Sequence, residues 1–147
     1  MSVRSVRHAG IVVRDAERSL AFYCDLLGLS VEVDQVEHGD FIETVLGLPN
    51  VRVRTVKLSA PEGPTLLELL EFEGSERLTD ESGDLRRIGP THSALTVDDL
   101  DAIYRRLIGA GVRFVSPPRT SADGRARVAF CADPDGAMLE LVEPIGA

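Results

Sequence analysis

The chain repeats itself, and the repeat constrains its fold more than any other feature. Residues 3–13 (VRSVRHAGIVV) and 91–97 (THSALTV) both read as strands, each followed by an acidic cap and apolar residues at helical spacing. His8 and His92 stand 84 positions apart, and at that spacing Val13 meets Val97 and Asp15 meets Asp99 at the strand-to-helix junction. Further on, Leu67-Glu68-Leu69 matches Leu139-Glu140-Leu141 at a spacing of 72. The difference of 12 fits an extra segment in the first half, for which 38–50 (HGDFIETVLGLPN) is the obvious candidate; FIETVLGLP within it reads as a short helix. Duplicated supersecondary units bury their apolar faces together, so such a repeat fixes the organisation of the whole chain.

The order within each copy follows from local signals. In the first, the helix capped by Asp15 carries Leu20, Tyr23, Cys24 and Leu27 on one face and stops at Gly28. Residues 29–37 and 51–60 alternate as strands, Pro61-Glu62-Gly63-Pro64 turns, and 65–72 (TLLELLEF) returns. A polar stretch from Glu73 to Gly89 without apolar period reads as a linker or mobile loop. In the second copy, Asp98 or Asp99 caps a helix running to Leu107 and ending at Gly109–Gly111. Strands follow at 112–116, 125–131 and 137–143, with Pro134-Asp135-Gly136 turning between the last two. The chain is therefore β-α-β-β-β twice, one domain over 1–147, with module one at about 1–73, a linker at about 74–89 and module two at about 90–147.

Strand parity singles out four residues. Side chains alternate across a strand, so Ile11 and Val13 point to one face and His8, Gly10 and Val12 to the other. The same parity sets Ser93, Leu95 and Val97 against His92, Ala94 and Thr96. Leu67, Leu69, Leu139 and Leu141 share the apolar side, and Glu68 and Glu140 lie opposite. Two buried carboxylates on a sheet face are costly unless paired or metal-bound, and one divalent ion with two carboxylates and two neutral imidazoles is charge-balanced. Gly10 and Ala94, two positions beyond each histidine, leave space beside the rings. Glu71 and Glu143 have the other parity and are expected in solvent at strand ends, and His38 in a surface loop beside Gly39.

Composition excludes other classes. A net charge of −8 with scattered basic residues argues against a nucleic-acid partner, although Arg125 and Arg127 could serve an anionic substrate. No apolar run is long enough to span a membrane, and Met1-Ser2-Val3-Arg4 lacks the apolar centre of a signal peptide, so a cytoplasmic protein is expected. Cys24 and Cys131 lack metal-type spacing and read as structural thiols.

With HAGIVVRDAERSLAFYCDLLGL, LLELLEF, THSALTVDDLDA and ADPDGAMLELVEP in place, nearly the whole chain resembles the vicinal oxygen chelate superfamily, which contains glyoxalases, methylmalonyl-CoA epimerases, extradiol dioxygenases and bleomycin-type resistance proteins. The resemblance implies an α+β fold of two tandem βαβββ modules whose mixed sheets form a half-barrel around a metal cleft, commonly in a homodimer. It places the family's metal positions on His8, Glu68, His92 and Glu140, holding one divalent ion per site (Zn, Ni, Co, Mn or Fe). It matches Glu140 to a catalytic base, and Glu43 falls in about the region where epimerases place a second acid/base, within a segment that matches poorly.

The implied chemistry is proton transfer next to a carbonyl, of the glyoxalase (lyase) or epimerase (isomerase) kind, on a small oxygenated substrate such as a thioester or thiol adduct. A fourth protein ligand, Glu68, favours it over an iron(II) extradiol-type dioxygenase, which resembles a two-histidine, one-carboxylate site with open positions. A drug-binding resistance protein without catalysis is a third class. Two Tyr, five Phe and no Trp, beside a full ligand set, speak against it.

Overall fold

The computed structural model describes residues 3–77, 85–86 and 89–146. The chain divides into two compact units, Met1–Thr79 and Asp80–Ala147, each built on its own four-stranded sheet. The first contains β1 (His8–Val12), α1 (Ala16–Leu20) running into a wide π-helical turn (Ala21–Leu26), β2 (Ser30–His38), α2 (Asp40–Leu46), β3 (Arg52–Ser59) and β4 (Leu66–Phe72). Its strand order is β1-β4-β3-β2, with β1 parallel to β4 and the other pairs antiparallel. The second contains β5 (His92–Thr96), α3 (Leu100–Gly109), β6 (Arg119–Thr120), β7 (Ala126–Ala132) and β8 (Met138–Pro144). Its order, β5-β8-β7-β6, repeats the first with the same single parallel pair. The chain is α+β, two βαβββ modules with mixed sheets.

Local chemistry starts and stops the helices as the sequence dictates. Asp15 Oδ1 accepts from Arg18 N at 3.1 Å, and Asp99 Oδ1 accepts from Ala102 N at 2.8 Å, so equivalent residues cap both. Gly28 closes the first at φ 79°, donating to Cys24 O at 3.0 Å while Leu29 N donates to Tyr23 O at 3.0 Å. The segment 38–50 does carry a helix, α2.

Four elements differ from expectation. β1 begins at His8, not Val3, because its partner β4 begins at Leu66 and no ladder exists beyond the bond from Leu66 N to Arg7 O. The π-helical widening after Leu20 turns Phe22 and Tyr23 into the core, leaving Leu20 and Leu27 only half-buried. Residues 112–116 form no strand: Phe114 alone bridges Cys131, and Pro117-Pro118 then withdraws two backbone donors before β6 pairs briefly with β7. His38 ends strand β2 instead of lying in a loop, though it is exposed. Of the expected linker, Ser75–Arg77 forms one 3-10 turn, and residues 78–84, 87 and 88 lie outside the described residues.

Parity runs true on both sheets. Leu69 and Val56 face each other across β4 and β3 and are fully buried, as is Leu141 opposite Ala129 across β8 and β7. Leu100 and Leu107 of α3 are also fully buried, in contact range of β7 and β8 through their helix.

The duplication extends to a clamp that the sequence did not reveal. Arg54 on β3 donates through Nη1 to Glu17 Oε1 at 2.7 Å and through Nε and Nη2 to Asp34 at 2.9 and 2.7 Å. Arg127 on β7 donates through both terminal nitrogens to Asp101 at 2.7 Å and lies 3.5 Å from Glu143 Oε2. Glu17 and Asp101 each occupy the second position of their helix, and Arg54 and Arg127 each stand across the ladder from Glu71 and Glu143. Each arginine thus joins its sheet to the helix start, and its hydrogen bonds hold the Asp34 and Asp101 carboxyls below the usual carboxylate range. Two expectations are thereby corrected. Glu71 and Glu143 are partly buried: Glu71 Oε2 accepts from Ala16 N at 3.0 Å, and Glu143 sits beside Arg127. Arg127 is committed to Asp101 and is not free for a substrate anion, whereas Arg125 is exposed.

Candidate metal centre

The face of each sheet opposite the leucines carries one histidine and one glutamate. In the first unit, parallel pairing sets Gly10 opposite Glu68, with His8 one pleat earlier on the same face. His8 Nε2 lies 3.7 Å from Glu68 Oε1, their side chains 35% and 13% exposed. In the second unit Ala94 stands opposite Glu140, and His92 Nε2 lies 3.4 Å from Glu140 Oε2, with 36% and 25% exposure. An added Cβ at Gly10 would sit 3.5 Å from Leu70 Cδ1, an ordinary contact, so the small residue leaves room beside His8 without being sterically required.

These separations decide what the pairs can do. A nitrogen-to-oxygen hydrogen bond is strong at about 2.7–3.2 Å, and both pairs are longer than that. Two donors on one tetrahedral ion, each at about 2.1 Å, stand about 3.4 Å apart. The His–Glu distances of 3.4 and 3.7 Å therefore fit two ligands of an ion better than a direct hydrogen bond. Thr91 Oγ1 lies 2.9 Å from His92 Nδ1. A ring that donates its Nδ1–H there keeps the Nε2 lone pair for a cation, the usual support of a metal-binding imidazole. Among the described residues no three or more His, Cys, Asp or Glu side chains gather into a group that could hold a metal ion, so the structure brings the four candidate ligands together as two His–Glu pairs. Each unit offers one His–Glu pair.

The third strand of each sheet adds a neighbour that differs between the copies. Lys57 stands across the ladder from Glu68, its Nζ 3.5 Å from Oε2. The matching position beside Glu140 is Phe130, whose ring lies 5.1 Å from that of His92 in an edge-on arrangement. Sequence reading missed both, because strand register was needed to bring Lys57 of 51–60 and Phe130 of 125–131 to the glutamates, and alternation alone names no partner. Glu43 lies half-buried in α2, its carbonyl oxygen accepting from Leu48 N at 3.1 Å, and none of the site contacts above involves it. Cys131 is fully buried and its thiol is pushed up to about 12, chiefly by burial and secondly by Asp133. Cys24 is raised by burial and then by Asp25. Both fit a structural role. A cavity of about 560 Å³ at the end of the first sheet, lined by Arg52, Arg54, Glu71 and Glu73 among others, contains neither His8 nor Glu68.

The family model of the Glyoxalase/Bleomycin resistance protein/Dioxygenase superfamily matches residues 5–141. The chain belongs to this superfamily. Relatives include a lactoylglutathione lyase of Pseudomonas aeruginosa, 33% identical over 92% of this chain and 80% of its own length. A probable lactoylglutathione lyase of Synechocystis is 28% identical over 92% of each chain. Among solved structures, a glyoxalase family protein of Bacillus cereus shares the fold at a TM-score of 0.88 and 22% identity, covering 99% of this chain and 97% of its own. No helix among the described residues is long and apolar enough to cross a membrane.

Proposed function

We propose that this superfamily member is a divalent-metal-dependent enzyme that moves a proton next to a carbonyl, as a lyase or isomerase acting on a small oxygenated substrate in the cytoplasm. The observation that carries the reading is the matched His8–Glu68 and His92–Glu140 pairs at the spacing of shared metal ligands. Relatives named lactoylglutathione lyase support the same class, and a thioester or thiol adduct is the substrate it favours. One ion takes both pairs, supplied by one chain or by two copies in a homodimer; His/Glu donors suit Zn, Ni, Co, Mn or Fe. When bound, the metal supplies Lewis-acid stabilisation of negative charge on vicinal substrate oxygens.

The chain's own residues do the rest. His8 and His92 direct Nε2 toward the glutamates, and Thr91 fixes the second ring. Glu140 takes the proton from the carbon next to the carbonyl: the C–H bond breaks as the carboxyl O–H forms, its electron pair moving onto the carbonyl oxygen, and in a lyase the proton returns to a neighbouring carbon, whereas in an isomerase a proton is added from the opposite face by a second acid. Phe130 beside it excludes water from one side of this transfer. In an isomerase, Glu43 is the second acid/base. One observation favours a second reading: Lys57 at Glu68 leaves His8, His92 and Glu140 as a two-histidine, one-carboxylate set, which suits an iron(II) extradiol-type dioxygenase.

The test is proton exchange by NMR in heavy water, with metal-loaded protein and a panel of thioesters and hemithioacetals. Metal-dependent loss of the α-proton signal is expected. No exchange with any of them, together with oxygen consumption on a catechol by the iron form, would replace this reading with the second.

A further inference from the structure

We infer that Lys57 shares the Glu68 carboxylate with the metal and presents its ammonium to the substrate, so that the site selects anionic α-oxygenated acids and their derivatives over neutral ones. The inference rests on the metal reading above and adds the charge of the substrate to it.

The two modules carry equivalent residues at 54 and 127, and counting outward along the same strands brings Lys57 to the place of Phe130. The duplication therefore supplies its own comparison. One glutamate has an ammonium across the ladder and the other a phenyl ring. The Glu68 carboxylate is used at both ends: Oε2 is 3.5 Å from Lys57 Nζ, and Oε1 is 3.7 Å from His8 Nε2. One oxygen is left to an ion, and the charge it offers is already partly answered. Lys57 is 26% exposed, so a ligand can reach it, and an ammonium has three N–H donors, of which one faces Glu68.

Charge then chooses the ligand. Two carboxylates and two neutral imidazoles cancel a divalent ion, and Lys57 leaves the group with one positive charge. A neutral ligand would leave that charge unanswered in a partly desolvated site, whereas an anionic oxygen neutralises it.

A cross-strand ion pair that only steadies the sheet predicts something different, and opposite signs separate the two. The experiment compares the full chain with Lys57→Met and Lys57→Arg. Nickel affinity is measured by chelator competition, and binding of glycolate and of neutral glycolamide to the nickel-loaded protein by calorimetry. Removing a unit charge beside a divalent ion should tighten nickel binding in Lys57→Met by several-fold to about tenfold. Glycolate should bind about tenfold more weakly and glycolamide unchanged, whereas Lys57→Arg, which keeps the charge, should match the wild type in both measurements. If Lys57→Met weakens nickel and glycolate together, or changes neither, Lys57 is structural and the inference is overturned. If the wild type binds no nickel, zinc, cobalt, manganese or iron at all, the metal reading itself fails and the inference falls with it.

Discussion

Glu140→Gln is expected to keep most of its metal and lose turnover by roughly 10²–10⁴, the usual worth of general acid/base catalysis. Glutamine retains an oxygen that can stay near His92, where the Oε2–Nε2 distance is now 3.4 Å, but it has no basic lone pair able to hold a proton. His8→Ala removes a donor outright and should lose metal and activity together. Occupancy and turnover measured side by side give the split. In a dioxygenase the same glutamate is only a ligand, so activity would follow occupancy in both variants. A Glu140→Gln protein with full metal and near-normal turnover means that Glu140 is not the base.

Leu69→Ala and Leu141→Ala should each cost about 2–5 kcal/mol of folding stability, the range for a leucine truncated in a close-packed core. Both are fully buried, and they are repeat-equivalent positions on the last strand of each sheet. Leu69 is flanked by Ile11 on β1 and Val56 on β3, Leu141 by Leu95 on β5 and Ala129 on β7. These neighbours are anchored in ladders and cannot collapse into the space left behind. Urea unfolding followed by circular dichroism reads the loss. A cost below about 1 kcal/mol at either position would mean that the face opposite the glutamates is not the core.

The repeat explains how much of this was legible. Period-two alternation, the caps at Asp15 and Asp99 and the glycine stop at Gly28 are local, and each holds in the structure. The parity of His8, Glu68, His92 and Glu140 is local too, and each pair does meet within its unit. What escaped depends on register. Lys57 reaches Glu68, and Arg54 and Arg127 reach the helix starts, only once the ladder is fixed. Glu71 and Glu143 were misplaced because the same parity that took them off the His–Glu face put them on the other face of each sheet, where Ala16 N donates to Glu71 and the Arg127 guanidinium lies beside Glu143. Segment 112–116 failed as a strand because Pro117-Pro118 ends its pairing after one bridge, a constraint that outweighs apolar alternation.

The proposed metal site requires one divalent ion to draw on both His–Glu pairs. Equilibrium titration of metal-free protein with nickel, for the wild type, His8→Ala and His92→Ala, tests it directly. One ion per chain in the wild type, with affinity falling by orders of magnitude in either variant, is the predicted result. Two ions per chain, or tight binding that survives one of the two substitutions, would show that the pairs act separately and would contradict it.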